Sequence, residues 1–520
     1  GKSAVGRALS QRTGARFVDL DARIEERAGK SIAQIFQDEG EPHFRALERD
    51  LLLFELQLAL SRPTVISLGG GALVDRDVRI LALSQAIVVT LSAQPETIAR
   101  RAADQDATSG ARPLLRGADP LVKINALLAE RRLAYRESHG QISTDALSIE
   151  QVTDLVSAVW ARDEVAVAAG EDSYNVGIGS ALIAQRLAEV VKKPSGTLLV
   201  TDTNVAPLHG DRARTPLLTV GGLTTEVVLT PGEENKNIAC LSAIYQSAFD
   251  SGLDRSSTFV GLGGGVVTDM TGFAAATWVR GVRWVGCPTT LLSMVDASVG
   301  GKTGVDYLQA KNSVGAFWQP AGVLCDVETL LTETDRAYVG ALSEVVKTAL
   351  VGDPSLLDFL EDNTQKILAR DLSTMSEIVR RCVQVKARVV ALDEREGGIR
   401  AHLNLGHTIG HALESSGGFT GLTHGEAVSL GLVAALRLGE KLGHTPAHLS
   451  ARILALLKRL KLPHRLERSA LEESAALLSH DKKRSGDSIR FVFAADAGRL
   501  FTEAMKINDL VASSPGLADT

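Results

Sequence analysis

No stretch of the 520 residues approaches the roughly eighteen uninterrupted apolar positions that a membrane-spanning helix needs. The first residues also lack the charged-then-apolar pattern of a targeting peptide. Cysteine is scarce: Cys240, Cys287, Cys325 and Cys382 stand far apart, with no C-x-x-C spacing. That argues against a disulfide framework or a cysteine metal site, and for buried thiols in a reducing compartment. Excess positive charge is missing too. A formal charge of -6 and a pI near 6.1 leave no basic footprint for nucleic acid, so any anion must be met by local clusters. The expectation is a cytoplasmic protein that acts on small molecules, with no nucleic-acid and no membrane partner.

What is present is α/β enzyme material, with 45% hydrophobic residues and 48 glycines in a chain long enough for about two to four domains. Residues 1–160 alternate strand candidates ("TVISL", "AIVVTL") with charged helical stretches, as βαβ units do. A linker is expected near 161–168. From 164 to 325, strands such as "TLLVTD" and "STFVGLGGG" end in turn residues or glycine clusters, predicting a second nucleotide-type α/β domain. From 326 to 510, patterns such as "ETDRAYVGALSEVVKTALV" predict a mostly helical domain, and 511–520 read as a frayed tail.

The chain opens "GKSAVGRALS", the end of a G-x-x-x-x-G-K-[ST] phosphate loop, followed by Val5, Ala8 and Leu9 at helical spacing. The strand that such a loop needs in front of it is not there, and position 1 is not Met, so a longer natural chain is expected. Asp19 and Asp21, two apart at a strand end, leave it on one face, where they suit a metal and a hydroxyl, or else cap a helix. Gly69, Gly70 and Gly71 allow close backbone approach of a ligand, or simply turn the chain. Arg112 in "ARPLL" and Arg131 in "AERRLAY" could grip phosphate or carboxylate.

In this order, "GKS … DLD … FR … GGG … RPLL … ER" resembles shikimate kinase over residues 1–160. The resemblance implies transfer of the ATP γ-phosphoryl to a shikimate hydroxyl, with Lys2 on the phosphates and Ser3 on Mg2+. Asp19 would position the metal through water, and Asp21 would hold and polarise the attacking hydroxyl. Arg45, Gly70, Gly71 and Arg131 would bind shikimate, and Arg112 would close from a lid. Leu133 stands where that family usually has proline. Because the family's first strand lies inside its sheet, a polypeptide beginning at Gly1 is expected to have little kinase activity.

The densest chemistry is "NLGHTIGHALESSGGFTGLTHGEAV", which holds three of the eleven histidines. His407 and His411 are i and i+4, one face of a helix, so on spacing alone they are the obvious metal pair. "FVGLGGGVVTDMTGFAAATWVRG" sets a glycine triplet at a strand-to-helix turn, a place for a pyrophosphate or merely a tight turn. "PTTLLSMVDASVGGKTGVDYLQAKN" is poor core material. In "GALSEVVKTA", Glu344 and Lys347 are i and i+3, which on a surface is a common ion pair of little worth.

With "PGEENK", "SEVVK", "HGEAV" and "HDKK", these motifs make residues 164 to about 510 resemble 3-dehydroquinate synthase. The implied architecture is a P-loop kinase domain, its first strand missing, followed by an NAD-binding α/β domain and a mostly α-helical metal-binding domain with the active site between the last two. The resemblance makes Glu344, His407 and His424 the Zn2+ or Co2+ ligands and leaves His411 to handle protons. NAD would contact Asp202, Asn204, Glu233, Lys236, Gly264, Gly265, Asp269, Thr289 and Thr290, with Lys302, Lys311 and Thr332 also on the cofactor side. The substrate would meet Arg280, Asp296, Lys302, Asn312, Lys347, Lys386, Arg400, Asn404, His411 and Lys482. One departure is "LLTETDR", where the usual Leu-Pro after Thr332 is Glu333-Thr334.

The implied reaction takes 3-deoxy-D-arabino-heptulosonate 7-phosphate to 3-dehydroquinate and phosphate. Oxidation of a ring hydroxyl acidifies the neighbouring C–H, phosphate leaves by β-elimination, the hydride returns, and an internal aldol step closes the carbocycle. Lysines and arginines are needed to meet the departing dianion. Metal-dependent NAD alcohol dehydrogenases share the glycine triplet and the carboxylate–histidine set but need no such basic pocket. A related sugar phosphate cyclase is the nearer alternative. Another is a synthase carrying a non-catalytic kinase-like appendage. A homodimer through the synthase half is the family expectation.

Overall fold

In the computed structural model, which describes residues 1–109, 119–308, 310–395, 397–416, 421–474 and 488–519, the phosphate-loop remnant leads straight into helix α1 (Lys2–Thr13). Gly14 ends α1 in the left-handed region, at φ 71°, where a side chain would be strained. Strand β1 (Arg16–Asp19) follows, then α2 (Leu20–Ala28) and the long α3 (Gly40–Ala59). The parallel strands of this region form two pairs: β1 with β2 (Thr64–Ser67), and β3 (Val89–Ser92) with β4 (Gly140–Ser143). Helix α4 (Ile149–Trp160) opens on a capping box in which Ser148 and Gln151 each satisfy the other's backbone. Val5 and Leu9 of α1 pack with Ile142, Val152 and Val156, and Val65, Val89 and Leu91 lie against the same cluster.

The chain divides into two units, Gly1–Ser173 and Tyr174–Thr520. The stretch expected to be a linker, 161–168, instead contains the strand Glu164–Val167, buried along its length. Its alternation of small and branched apolar residues, read as a flexible bridge, suits a strand covered on both faces.

The second unit is built on a parallel sheet of β5 (Tyr174–Gly179), β6 (Gly196–Asp202), β7 (Leu223–Leu229), β8 (Thr258–Gly263), β9 (Arg283–Pro288) and β12 (Val323–Asp326). They lie in the order β5-β12-β9-β8-β6-β7. Between β9 and β12 the chain throws out an antiparallel hairpin, β10 (Lys302–Tyr307) and β11 (Ala310–Phe317). Helix α5 (Gly265–Thr277) leaves the end of β8 and packs Met270, Phe273 and Ala274 into the core with Phe259 and Trp284.

Beyond the sheet come α6 (Asp335–Gly352), α7 (Leu372–Leu392), α8 (His407–Ser416) and α9 (His424–Lys441). Bare glycines set how closely these helices approach. A Cβ on Gly425 would fall 2.2 Å from Gly340 O, and one on Gly431 2.0 Å from Gly406 O. The expected helical region ends in a hairpin, Ser488–Asp496 with Arg499–Lys506. The last ten residues are not a frayed tail where described: Ile507–Ser513 is helical, Leu510 and Leu517 are buried, and Asp519 takes Arg437 and the Leu466 amide at 2.6 Å each. Its polar composition suggested a free end, but these anchors hold it.

Candidate active sites

In the first unit, β1 and β2 end side by side, with Asp19 in register with Ser67. Ser3 Oγ stands 3.3 Å from Ser67 Oγ, so Ser3 and Asp19 converge at one strand end. Asp19 occupies the N-cap position of α2 but makes no side-chain cap bond, which leaves its carboxylate available. The glycine stretch after β2 is pressed by charged groups on all sides. A Cβ on Gly69 would meet Glu48 Oε1 at 2.6 Å and Asp21 Oδ1 at 3.3 Å, one on Gly70 would meet Arg131 at 3.0 Å, and one on Gly71 would meet the Arg45 guanidinium at 2.5 Å. Asp21, Arg45, Gly70, Gly71 and Arg131 are thus brought together, while Lys2 is exposed and Arg112 lies outside the described residues.

Two partners in this cleft were not singled out from sequence. Glu48, buried on α3, takes Arg45 at 2.6 Å, and Tyr135 donates to Gly70 O at 2.7 Å. Burial, opposed by Arg45, holds the Glu48 carboxyl above its ordinary range. Glu48 Oε1 and Arg131 Nε are buried without hydrogen-bond partners, the mark of a site that expects a polar ligand. The i, i+3 spacing of Arg45 and Glu48 was the one available signal.

In the second unit, the expected cofactor residues gather at the carboxyl edge of the sheet, where open α/β sheets place ligands. Asp202 ends β6, Gly264 follows β8, and Thr289 and Thr290 follow β9. Gly264 caps α5 with no side chain, so the first amides of a thirteen-residue helix are open to an anion. Asp202 Oδ1 is taken by its own loop, from Asn204 N at 2.8 Å and Val205 N at 2.9 Å. Lys236, 4% exposed, donates to Asp269 at 2.6 Å and to Asn312 at 2.5 Å, which joins two cofactor candidates to a substrate candidate. Burial, opposed by Lys236, pushes the Asp269 carboxyl up to about 6. Glu233 and Asn204 are exposed on the same edge.

Helices α6, α8 and α9 bring Glu344, His407 and His424 into one cluster, their candidate ligand atoms all within 4.8 Å of one another. Glu344 Oε1 lies 3.5 Å from His407 Nε2 and 3.6 Å from His424 Nε2, and is buried with no hydrogen-bond partner. A carboxylate oxygen and two imidazole nitrogens converging without a donor between them is a donor set suited to a divalent cation. Burial pushes the Glu344 carboxyl up, but Lys347 and then the histidines outweigh it and hold it well below the usual range.

The pairing suggested by spacing, His407 with His411, is not what the fold assembles. Their rings are 5.1 Å apart, but His411 is exposed and groups instead with Glu414 and His424. In that second group Glu414 is already engaged: Oε1 accepts from Lys311 at 2.8 Å, and Oε2 lies 3.6 Å from His424 Nδ1. Glu414, not singled out from sequence, thereby orients His424, as outer carboxylates do for ligating imidazoles. Its i, i+7 spacing from His407 made it legible. Lys311, expected on the cofactor side, reaches α8 through this bond.

A buried basic group surrounds the cluster. Lys347 pairs with Glu344, Lys386 with Asp296, and Arg400, 2% exposed, donates to Gly300 O at 3.3 Å. Burial lowers the Lys386 pKa despite Asp296 beside it. Asn404 is exposed just ahead of α8, and Lys302 is exposed at the start of β10. Arg280 lies just past the far end of α5, about 20 Å of helix from Gly264. Thr332 sits 2.7 Å from His209 Nε2, and Lys482 lies outside the described residues.

Three family models match the chain: shikimate kinase over residues 1–160, the 3-dehydroquinate synthase N-terminal region over 226–340, and its C-terminal region over 341–484. A 3-dehydroquinate synthase of Geobacter metallireducens is 44% identical over 332 residues, covering 64% of this chain and 92% of that protein. One of Citrifermentans bemidjiense is also 44% identical, with the same coverage. Among solved structures, the 2-epi-5-epi-valiolone synthase ValA of Streptomyces hygroscopicus, with NAD+ and Zn2+ bound, is 26% identical. It covers 66% of this chain and 96% of its own, with a TM-score of 0.59. A 2-deoxy-scyllo-inosose synthase complexed with carbaglucose-6-phosphate, NAD+ and Co2+ shares the fold at 21% identity, covering 68% of this chain and 99% of its own with a TM-score of 0.62.

Proposed function

The chain belongs to the 3-dehydroquinate synthase family, with a shikimate kinase segment ahead of the synthase, and from that premise we propose how its two sites work. The second unit converts 3-deoxy-D-arabino-heptulosonate 7-phosphate to 3-dehydroquinate and phosphate. Glu344, His407 and His424 hold Zn2+ or Co2+, which when bound supplies the Lewis acidity that lowers a ring hydroxyl's pKa. NAD+, on the amides that open α5 and on the carboxyl edge of the sheet, supplies the hydride acceptor and is regenerated.

The chain's own residues do the rest. Lys347, Lys386 and Arg400 present buried positive charge to the phosphorylated substrate and to the leaving dianion, where low dielectric strengthens each contact. His411, exposed beside the ligand cluster, exchanges the proton during elimination. Asn404 and Asp296 orient the sugar hydroxyls. The observation that carries this reading is the unpartnered, buried Glu344 Oε1 between two imidazole nitrogens, next to a basic pocket that a simple alcohol dehydrogenase has no use for.

Phosphate release from the heptulosonate phosphate, with and without chelator and with NADH absorbance followed, tests it. Metal-dependent release with no net NADH is the expected result, and steady NADH accumulation without phosphate would overturn it. Release from a different phosphorylated sugar, with the heptulosonate inert, would mean another sugar phosphate cyclase.

The first unit is a shikimate kinase that uses ATP and Mg2+. Lys2, Ser3 and Asp19 lie on the phosphate and metal side, and Asp21 holds the attacking hydroxyl. Arg45, Arg131 and the Gly70–Gly71 backbone grip shikimate. In a chain that carries the strand ahead of Gly1, shikimate-dependent ADP release that disappears in Asp21→Asn is the expected outcome, while the polypeptide beginning at Gly1 should show little. ADP release equal with and without shikimate would reduce this unit to an appendage. The enzyme is taken as a cytoplasmic homodimer assembled through the synthase half, which sedimentation of the whole chain checks.

A further inference from the structure

One side chain joins the two segments that bring threonines to the cofactor edge. Thr289 and Thr290 follow β9, and the next residue, Leu291, opens the helical turn that runs on into Ser293–Ala297. An amide at the start of a helix has no carbonyl one turn back to use. Leu291 N–H donates instead to Glu333 Oε2, at 3.0 Å. Glu333 directly follows Thr332, at the end of the 3-10 turn Val327–Thr332, and the Thr332 hydroxyl is itself held 2.7 Å from His209 Nε2.

The Glu333 carboxylate therefore acts as a cap supplied from a distant segment, and one hydrogen bond ties Thr289–Thr290 to Thr332. Thr290 Oγ1 in turn accepts from Ser293 N at 3.3 Å, and its methyl would stand 3.3 Å from a Cβ on Gly264, the residue that opens α5. The surroundings of Glu333 are settled by other bonds. Arg370 gives its donors to Leu330 O and Asp335 and lies over the Tyr338 ring at 4.6 Å.

We propose that Glu333 is a positioning residue for the dinucleotide, fixing the Thr289–Thr290 segment against the Thr332 segment so that both face the cofactor edge together. The inference rests on the NAD reading above. NAD+ affinity of the whole chain, measured by calorimetry without sugar phosphate, together with amide exchange at 289–292, tests it. Glu333→Ala should weaken NAD+ binding about tenfold and speed exchange at Leu291, since a part-buried amide left without its acceptor forfeits roughly that much. Glu333→Gln, whose amide oxygen still accepts the bond, should stay within about twofold of the natural chain.

An alanine variant that loses thermal stability but keeps its NAD+ affinity would make Glu333 a strut and overturn the proposal. A glutamine variant as weak as the alanine one would also overturn it. Natural protein that releases phosphate yet binds no NAD+ would sink the cofactor reading instead, and Glu333's role with it.

Discussion

The kinase cleft of the first unit and the metal cluster of the second both gather carboxylates and cations, but they do so in different surroundings. Arg45 is 29% exposed and shares itself between Glu41, 48% exposed, and the buried Glu48, so water screens its outer side and the Glu41 contact can be lost at modest cost. Lys347 and Glu344 are 2% and 1% exposed, and neither has water to fall back on. A buried pair of this kind is a weak source of net stability but an expensive thing to break. The second site is therefore held rigid by its own electrostatics, whereas the first can rearrange around its ligand.

The sharpest way to break that comparison is to neutralise one carboxylate on each side. Glu344→Gln should remove the bound metal, as metal analysis would show, and cut phosphate release by more than about a hundredfold, the upper end of what losing a mere outer partner costs. It also strands the Lys347 ammonium, so calorimetry should show the second unit losing about 3–5 kcal/mol even without metal. Glu41→Gln, by contrast, should move the first unit's stability by less than about 1 kcal/mol, because Glu41 is 48% exposed and Arg45 keeps Glu48. Equal losses in the two variants would mean that burial does not separate the sites.

A second pair of variants asks whether the glycines differ in the same way. In the metal domain a Cβ on Gly431 meets the backbone of Gly406, which cannot step aside without moving α8 and its ligand. Gly431→Ala should cost on the order of 3 kcal/mol and lower metal content with it. In the kinase cleft the atoms nearest a Cβ on Gly71 are the tip of Arg45. That guanidinium swings away, so Gly71→Ala should fold normally and instead weaken shikimate binding, measured by calorimetry, about tenfold, the cost of one displaced charged contact. Loss of folding in the second variant would show that the cleft is as rigid as the cluster.

What could be read in advance follows the same division. Strand-then-glycine punctuation located β2 and β8, and turn residues marked the end of β6, because a parallel sheet buries both faces and leaves its carboxyl ends to glycine and polar residues. Motif order placed Asp21, Arg45 and Arg131 near one another, but only folding showed Glu48 and Tyr135 closing the cleft. At the metal cluster, helical periodicity favoured His407 with His411, since it sees one helix at a time. The cluster takes one residue from each of three helices, and no local pattern links Glu344 on α6 to His424 on α9. The 161–168 stretch and the last ten residues were misjudged because small and polar residues imply freedom only when nothing binds them, and burial there comes from distant partners.

The smallest expected effect concerns Glu333, which lies between the two extremes, partly buried and held by a single amide. Burial, opposed by the Leu291 amide and then by Arg370, pushes its carboxyl up to about 7 from an ordinary value of 4.5. Below about pH 4.5 the group is protonated whether the chain is folded or not, and it contributes no pH dependence. Between there and about 7 the folded chain binds more proton than the unfolded one, so stability falls as pH rises, and it levels off above 7. Glu333→Gln has no such titration. The variant and the natural chain should melt together near pH 4.5, and the variant should gain on the natural chain up to neutral pH, then hold a constant lead of a few degrees at most. A lead that is the same at every pH would mean that burial does not shift the Glu333 carboxyl.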